Sequence, residues 1–250
     1  MNHFYFESLR SVRSNPHTEN TELQEIADQY CESVGFPEPI TTPYVKVDDG
    51  VARQIAAWYD KTPDQSSNSD VRRCYAAMVK EVAEQWKILI KVYGLHVEPF
   101  LDEFVPYKDS PEMMNDVMNN RHMWVYDGGE DHSLLTRKEN FMFRAVHDAF
   151  GHAQYGYAFG PRGENAAWME HCKMFSPDAR NALTCESRCQ NSYVNFGPYS
   201  NLPVRERPFA EQKALLVPEK WCTTPELQRA YSDYPDFFPP VSNSNPRRRS

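Results

Sequence analysis

Glycine is scarce in this chain, 10 residues in 250, and nowhere forms the glycine-rich loop that cradles phosphates. No apolar run approaches the length that spans a bilayer, and the N-terminal segment MNHFYFESLRSVRSNPH lacks the basic-then-apolar order of a signal peptide. A cytoplasmic protein without a membrane partner is therefore expected. Positive charge is also short. The formal net charge of -8 argues against a protein that binds nucleic acid by neutralising phosphates along a broad basic face. The one basic cluster, Arg247, Arg248 and Arg249, follows a Ser/Asn/Pro run and reads as a disordered tail. Six cysteines are too dilute for a disulfide framework. Cys185 and Cys189, four apart, would share a helix face as a zinc or redox pair, but no second pair accompanies them, and buried reduced thiols are the simpler expectation. No internal repeat is visible.

What is present reads as a mainly α fold with a minor β element. Apolar residues recur at helical spacing over Thr21–Val34, again over Val51–Tyr59, and at greatest length from an N-capping Asp70 to Gly94. The polar run Lys61–Asp70 is the best internal linker. Between Gly94 and Gly129 the pattern changes. HVEPFLDEFVPY is short, aromatic and broken by prolines, and HMWVYDGG reads as one strand ending in a turn; with one short helix near Ser110 between them, the region is mixed and a small two- or three-stranded element is expected. Helices return over Asn140–Phe150, Gly163–Met174 and from Pro177 to about Asn195. The resulting organisation is a helical appendage over 1–60, a mostly helical metal-binding domain over 70–235 and a basic tail over 236–250.

The chemistry concentrates in ENFMFRAVHDAFGHAQYGYAFG, which holds His147, Asp148 and His152 beside Gly151. On an ideal helix two residues five apart point about 140° away from each other, because each residue turns about 100°. Chelation by both imidazoles then requires the helix to end or distort at Gly151. A carboxylate added to two imidazoles gives the facial triad of non-haem iron, with positions left open for dioxygen and substrate. Glu164, Glu170 and Glu186 are available. Glu186 is favoured because it lies among Leu183, Tyr193, Val194 and Phe196, where a buried carboxylate needs a metal or a cation; Arg188 or Lys173 is the alternative partner. Arg144, one turn before His147, is placed to orient a substrate carboxylate or phosphate or to form an ordinary ion pair. Phe143, Phe150, Tyr155, Tyr157, Phe159 and Trp168 are expected to wall a pocket for an apolar or planar small molecule. His171 reads as a helix-surface residue.

The segment H-D-A-F-G-H resembles the H-E-L-L-G-H motif of the pterin-dependent aromatic amino acid hydroxylases, and T-C-E at Thr184 to Glu186 resembles their T-x-E segment. The resemblance covers roughly residues 127–197. It implies a fold like the catalytic domain of those enzymes, with His147, His152 and Glu186 as Fe(II) ligands and Asp148 in the place of the family's glutamate near the pterin. Phe150 would then stand at the cofactor, tetrahydropterin would be the reductant, and the reaction would be hydroxylation of a small molecule by dioxygen. Two other readings stay open. The His147–Asp148 pair also resembles the centre of the HD phosphohydrolases, with His96, His122 or His132 upstream and Asp178 downstream as further ligands for a metal that activates water on a nucleotide phosphate. Alternatively, both histidines are satisfied core residues of a non-catalytic binding protein.

Overall fold

The computed structural model describes residues 19–101 and 105–240. The Arg247–Arg249 cluster therefore lies outside the described residues. Helix accounts for 58% of the structure and strand for 5%, in agreement with the expected class. In chain order the elements are α1 (Thr21–Val34), α2 (Asp49–Lys61), α3 (Ser69–Ile88), β1 (His96–Phe100), α4 (Ser110–Asn120), β2 (His122–Tyr126), α5 (Arg137–His147), α6 (Pro161–His171), α7 (Pro177–Thr184), α8 (Gln190–Phe196) and α9 (Pro225–Ala230). Three segments, Leu89–Tyr93, Asp148–Ala153 and Cys185–Cys189, continue their helices as π turns. No helix among the described residues is long and apolar enough to cross a membrane.

Helix α3 is the axis of the main core. Its side chains Val71, Cys74, Tyr75, Met78 and Val82 recur at steps of three and four and are buried against α5 and α7. The helix starts two residues earlier than expected, because the side chain of Asn68, not Asp70, accepts a hydrogen bond from the first turn. Gly94, at φ 77°, closes the following π turn in the left-handed conformation that glycine takes without strain.

Residues 19–60 do not form an appendage. Leu23, Ile26, Ala27, Tyr30 and Cys31 of α1 belong to the same buried core as α3 and α5, and the Asn20 side chain donates to the Tyr93 hydroxyl at 2.6 Å. Helix α2 packs against α8 in a second buried cluster, where Ile55 and Tyr59 meet Cys189, Leu215 and Trp221. The polar run after α2 is likewise fixed: the Asp64 carboxylate accepts from the Ala214 amide at 2.8 Å, and the Gln65 amide donates to the Ala214 carbonyl at 2.9 Å. Apolar side chains on α1 and α2 could reach water only at the cost of their transfer free energy, so their periodic faces draw both helices into the body.

Strands β1 and β2 pair in parallel, from His96 opposite His122 to Phe100 opposite Tyr126, with α4 as the crossover. Both strands run toward the same end, and Phe100 and Tyr126 finish there beside the cavity described below. Packing at α6 is tight. A Cβ on Gly163 would lie 1.7 Å from the carbonyl oxygen of Ala158, which is backbone and cannot rotate away. Gly163→Ala should therefore cost about 3 kcal/mol or more, the upper range of overpacking, and lower the thermal midpoint by at least about 6 °C. A shift below about 2 °C in differential scanning calorimetry would contradict this packing.

Candidate metal centre

The helix that carries His147 does not end at Gly151. It widens into the π turn Asp148–Ala153, visible in the bond from the Gln154 amide to the Ala149 carbonyl at 2.9 Å, five residues back. In an i to i+5 winding, residues five apart approach one another along the helix, and the His147 and His152 rings stand 5.3 Å apart at 89°. Gly151 serves a different purpose from the one expected of it. A Cβ there would meet the Ala167 carbonyl oxygen at 3.1 Å, the Ala167 Cβ at 3.2 Å and His147 Nδ1 at 3.2 Å. Its absence lets α6 lie directly on the π turn, and α6 carries Glu164 on its first turn.

Glu164, not Glu186, completes the group. His147, His152 and Glu164 each present one ligating atom, all within 4.8 Å of one another, and all three residues are buried. Glu164 Oε2 is 3.4 Å from His152 Nε2 and 3.9 Å from His147 Nε2. His152 Nδ1 donates to the Tyr157 carbonyl at 2.9 Å, which leaves its Nε2 lone pair directed at the site. His147 Nε2 is the sole buried side-chain nitrogen or oxygen among the described residues that lacks a hydrogen-bond partner. An orphaned imidazole nitrogen beside a second imidazole and a carboxylate fits a divalent transition metal, which takes N and O donors and would satisfy that nitrogen. The charges agree. Burial alone would raise the Glu164 pKa, but His152 and His147 outweigh it and hold the carboxyl down at about 2. For His152, burial opposes the charged ring and Glu164 more than compensates, so its pKa is raised.

Glu186 stands on the neighbouring π turn Cys185–Cys189 and faces α3. Its Oε1 accepts from the Tyr75 hydroxyl and, at 3.2 Å, from His132 Nε2; its Oε2 accepts from Gln190 Nε2 at 2.8 Å. His132 Nδ1 accepts two backbone amides, from Leu134 and Leu135, so the ring proton lies on Nε2. Neither cation considered for Glu186 reaches it. Arg188 donates to the carbonyls of Trp221 and Thr223 and covers Trp168, and Lys173 is paired with Glu170.

Both carboxylates face one cavity of about 160 Å³, whose wall includes His147, Asp148, Glu164, Arg144, Glu186 and Gln190. Arg144 is held by its Nη1, which donates to the carbonyls of Tyr126 at 2.8 Å and Gly128 at 3.0 Å, and has no ion-pair partner among the described residues. Asp148 also faces the cavity, and burial, the largest influence, prevails over His152 and His147 to raise its pKa to about 6. Of the aromatics expected on the wall, Phe143 and Phe159 are there, joined by Phe100, Trp124, Tyr126 and Phe209. Phe150 is not. It is fully buried in the core behind the site, its ring 6.4 Å from that of His171, because the π turn directs it away from the cavity. His171, expected on a helix surface, is also fully buried and touches His147 Nδ1 at 3.2 Å. Its only signal in the sequence is its spacing from Glu164: 171 − 164 = 7 residues, two helical turns along the same face.

The residues considered for a phosphohydrolase do not converge on His147 and Asp148. His96 pairs with Glu98, His122 with Asp116, His132 with Glu186, and Asp178 lies exposed against Arg73. Compared with protein-family models, curated proteins and solved structures, the chain matches none.

Two outcomes follow from this geometry. Glu164→Gln should weaken Co(II) binding by roughly a hundredfold, whereas Glu186→Gln should leave the affinity within about threefold of wild type in calorimetric titration; the reverse ranking would return the third ligand to Glu186. In the metal-free protein, folded Asp148 keeps its proton up to about pH 6, while the unfolded chain releases it near 3.8. The folded state thus binds more protons in that window, and the Asp148 contribution to stability falls as pH rises through it. Asp148→Asn should remove that fall, so that urea denaturation finds the variant gaining about 1–3 kcal/mol on wild type between pH 4 and pH 7. Parallel stability curves would contradict the shift.

Proposed function

We propose that this protein is a non-haem Fe(II)-dependent oxygenase that hydroxylates a small molecule at a site built from His147, His152 and Glu164. The observation that carries the reading is the convergence of two imidazole Nε2 atoms, one of them orphaned, and a carboxylate oxygen at the wall of a cavity. Two neutral nitrogens and one anion are the donor set of the facial triad, which leaves further coordination positions free. The resemblance of H-D-A-F-G-H to the hydroxylase motif supports the same assignment of the two histidines, with the third ligand moved to Glu164. Iron held there would supply a binding site for dioxygen, one atom of which enters a substrate C–H bond while the other leaves as water with two electrons from tetrahydropterin or another reductant.

The chain's own residues divide the remaining work. His152 is locked by the Tyr157 carbonyl, so its Nε2 cannot rotate out of the site. Arg144, fixed by two carbonyls, turns its remaining N–H groups to an anionic part of the substrate. Phe143, Phe159, Trp124 and Phe209 hold a planar or apolar body and keep bulk water from the reacting carbon. Asp148, poised near pH 6, is the cavity's proton donor or acceptor and stands where the resemblance sets the pterin. Six unbridged cysteines support a reducing compartment such as the cytoplasm.

A test that needs no substrate is anaerobic loading with Fe(II) followed by nitric oxide, a stand-in for dioxygen. Wild type is expected to bind about one iron per chain and give the high-spin iron–nitrosyl resonance, and His147→Ala and His152→Ala are expected to lose both. Wild type that takes up no iron, or iron that binds without a nitrosyl signal, would overturn the oxygenase reading.

A further inference from the structure

The orphaned nitrogen of His147 is set up by groups behind it. The carbonyl of Met174 accepts from Gln85 Nε2 at 3.0 Å, which fixes which end of the Gln85 amide is oxygen. That oxygen, Oε1, lies 2.8 Å from His171 Nε2. An amide oxygen only accepts, so the His171 proton is on Nε2 and its Nδ1 is bare. Bare Nδ1 is 3.2 Å from His147 Nδ1, which must then donate. Nε2 of His147 is left with a lone pair. Both Gln85 and His171 are fully buried, the Phe150 and Phe175 rings flank His171 at 6.4 Å and 4.8 Å, and the Tyr30 hydroxyl is a further hydrogen-bond partner of the Gln85 side chain.

We infer that Gln85 and His171 are positioning residues that fix the tautomer of His147, and thereby make its Nε2 a metal ligand. The direction of the whole relay is set by a backbone carbonyl three links away. His152 obtains the same result directly from the Tyr157 carbonyl. The two ligands are thus prepared by unlike means, one through the chain's backbone and one through two side chains from α3 and α6. An imidazole with its other nitrogen engaged is a more basic and better oriented ligand. Loss of the relay lets His147 take the opposite tautomer, in which a proton occupies the ligating position.

This inference rests on the metal reading for its consequence but not for the tautomer, so two measurements separate them. In the metal-free wild type, ¹⁵N spectra of labelled histidine should find His147 protonated on Nδ1 and bare on Nε2, and a proton on Nε2 overturns the relay. In Co(II) titrations, Gln85→Leu should bind about 10- to 100-fold more weakly than wild type, with its visible absorption changed, while Gln85→Glu, which keeps an oxygen for His171, should bind close to wild type. Thermal melts of the metal-free variants check that each is folded. Unchanged Co(II) affinity in a folded Gln85→Leu overturns the positioning role. Wild type that binds no Co(II) sinks the metal reading, and the nitrogen resonances still decide the relay.

Discussion

The widened turn between Asp148 and Ala153 is the constraint on which the site depends, because it alone brings two side chains five residues apart onto one face. An α-helical continuation would have separated His147 from His152 by about 140°, and termination at Gly151 would have removed the surface on which α6 lies. The turn is held by packing. Ala149, Phe150 and Ala153 are buried in the main core, and Gly151 admits the α6 backbone to within contact distance. A π turn is poorer in hydrogen-bond geometry than the α-helix around it, and its cost is offset by the apolar burial of these neighbours.

Charge around the cavity is arranged so that Glu164 and Glu186 cannot exchange duties. Glu164 faces imidazoles and stays ionised because of them. Glu186 instead accepts from three donors, Tyr75, His132 and Gln190, and its nearness raises the His132 pKa against the opposing effect of burial. Hydrogen bonds to its ionised form stabilise a carboxylate where it stands. Arg144 is the cation of the wall, and its anchoring on carbonyls leaves that charge without an ion-pair partner among the described residues. The cavity therefore offers an anion, a cation and an apolar surface at fixed positions before any ligand arrives, the arrangement that limits reorganisation on binding.

Much of this was legible in the sequence, and the exceptions have physical causes. Helical periodicity located α1, α3 and the segment around His147, and aromatic and apolar residues marked β2, whereas the proline in β1 obscured that strand. The pair His147 and His152 stood out because two histidines, an aspartate and a glycine fall within six residues. Nothing in the sequence sets Glu164 above Glu186. The apolar neighbours of Glu186 imply a buried carboxylate in need of a partner, and hydrogen bonds from Tyr75, His132 and Gln190 meet that need. Gln190 is one turn away, but Tyr75 and His132 lie 111 and 54 residues away, and no local pattern reports them. The π turn was invisible for a related reason: helix pitch is set by what packs against a segment, here α6, and the composition of the segment itself does not specify it. The N-terminal helices were misread as an appendage because a periodic face reveals that it must be covered and not what covers it.

All three proposed ligands fall within a short stretch of chain, with 164 − 152 = 12 residues between the second histidine and the glutamate. Other parts of the wall are gathered from far apart, with Phe100, Trp124, Gln190 and Phe209 contributed by four separate regions. Closing a short link costs little chain entropy, and each doubling of loop length adds only about 0.6 kcal/mol, but the distant wall forms only when the whole core has condensed. The three residues are neighbours in sequence, while much of the cavity wall is drawn from across the fold. Substitutions in the outlying regions can therefore reshape the cavity without touching the two imidazoles and the carboxylate.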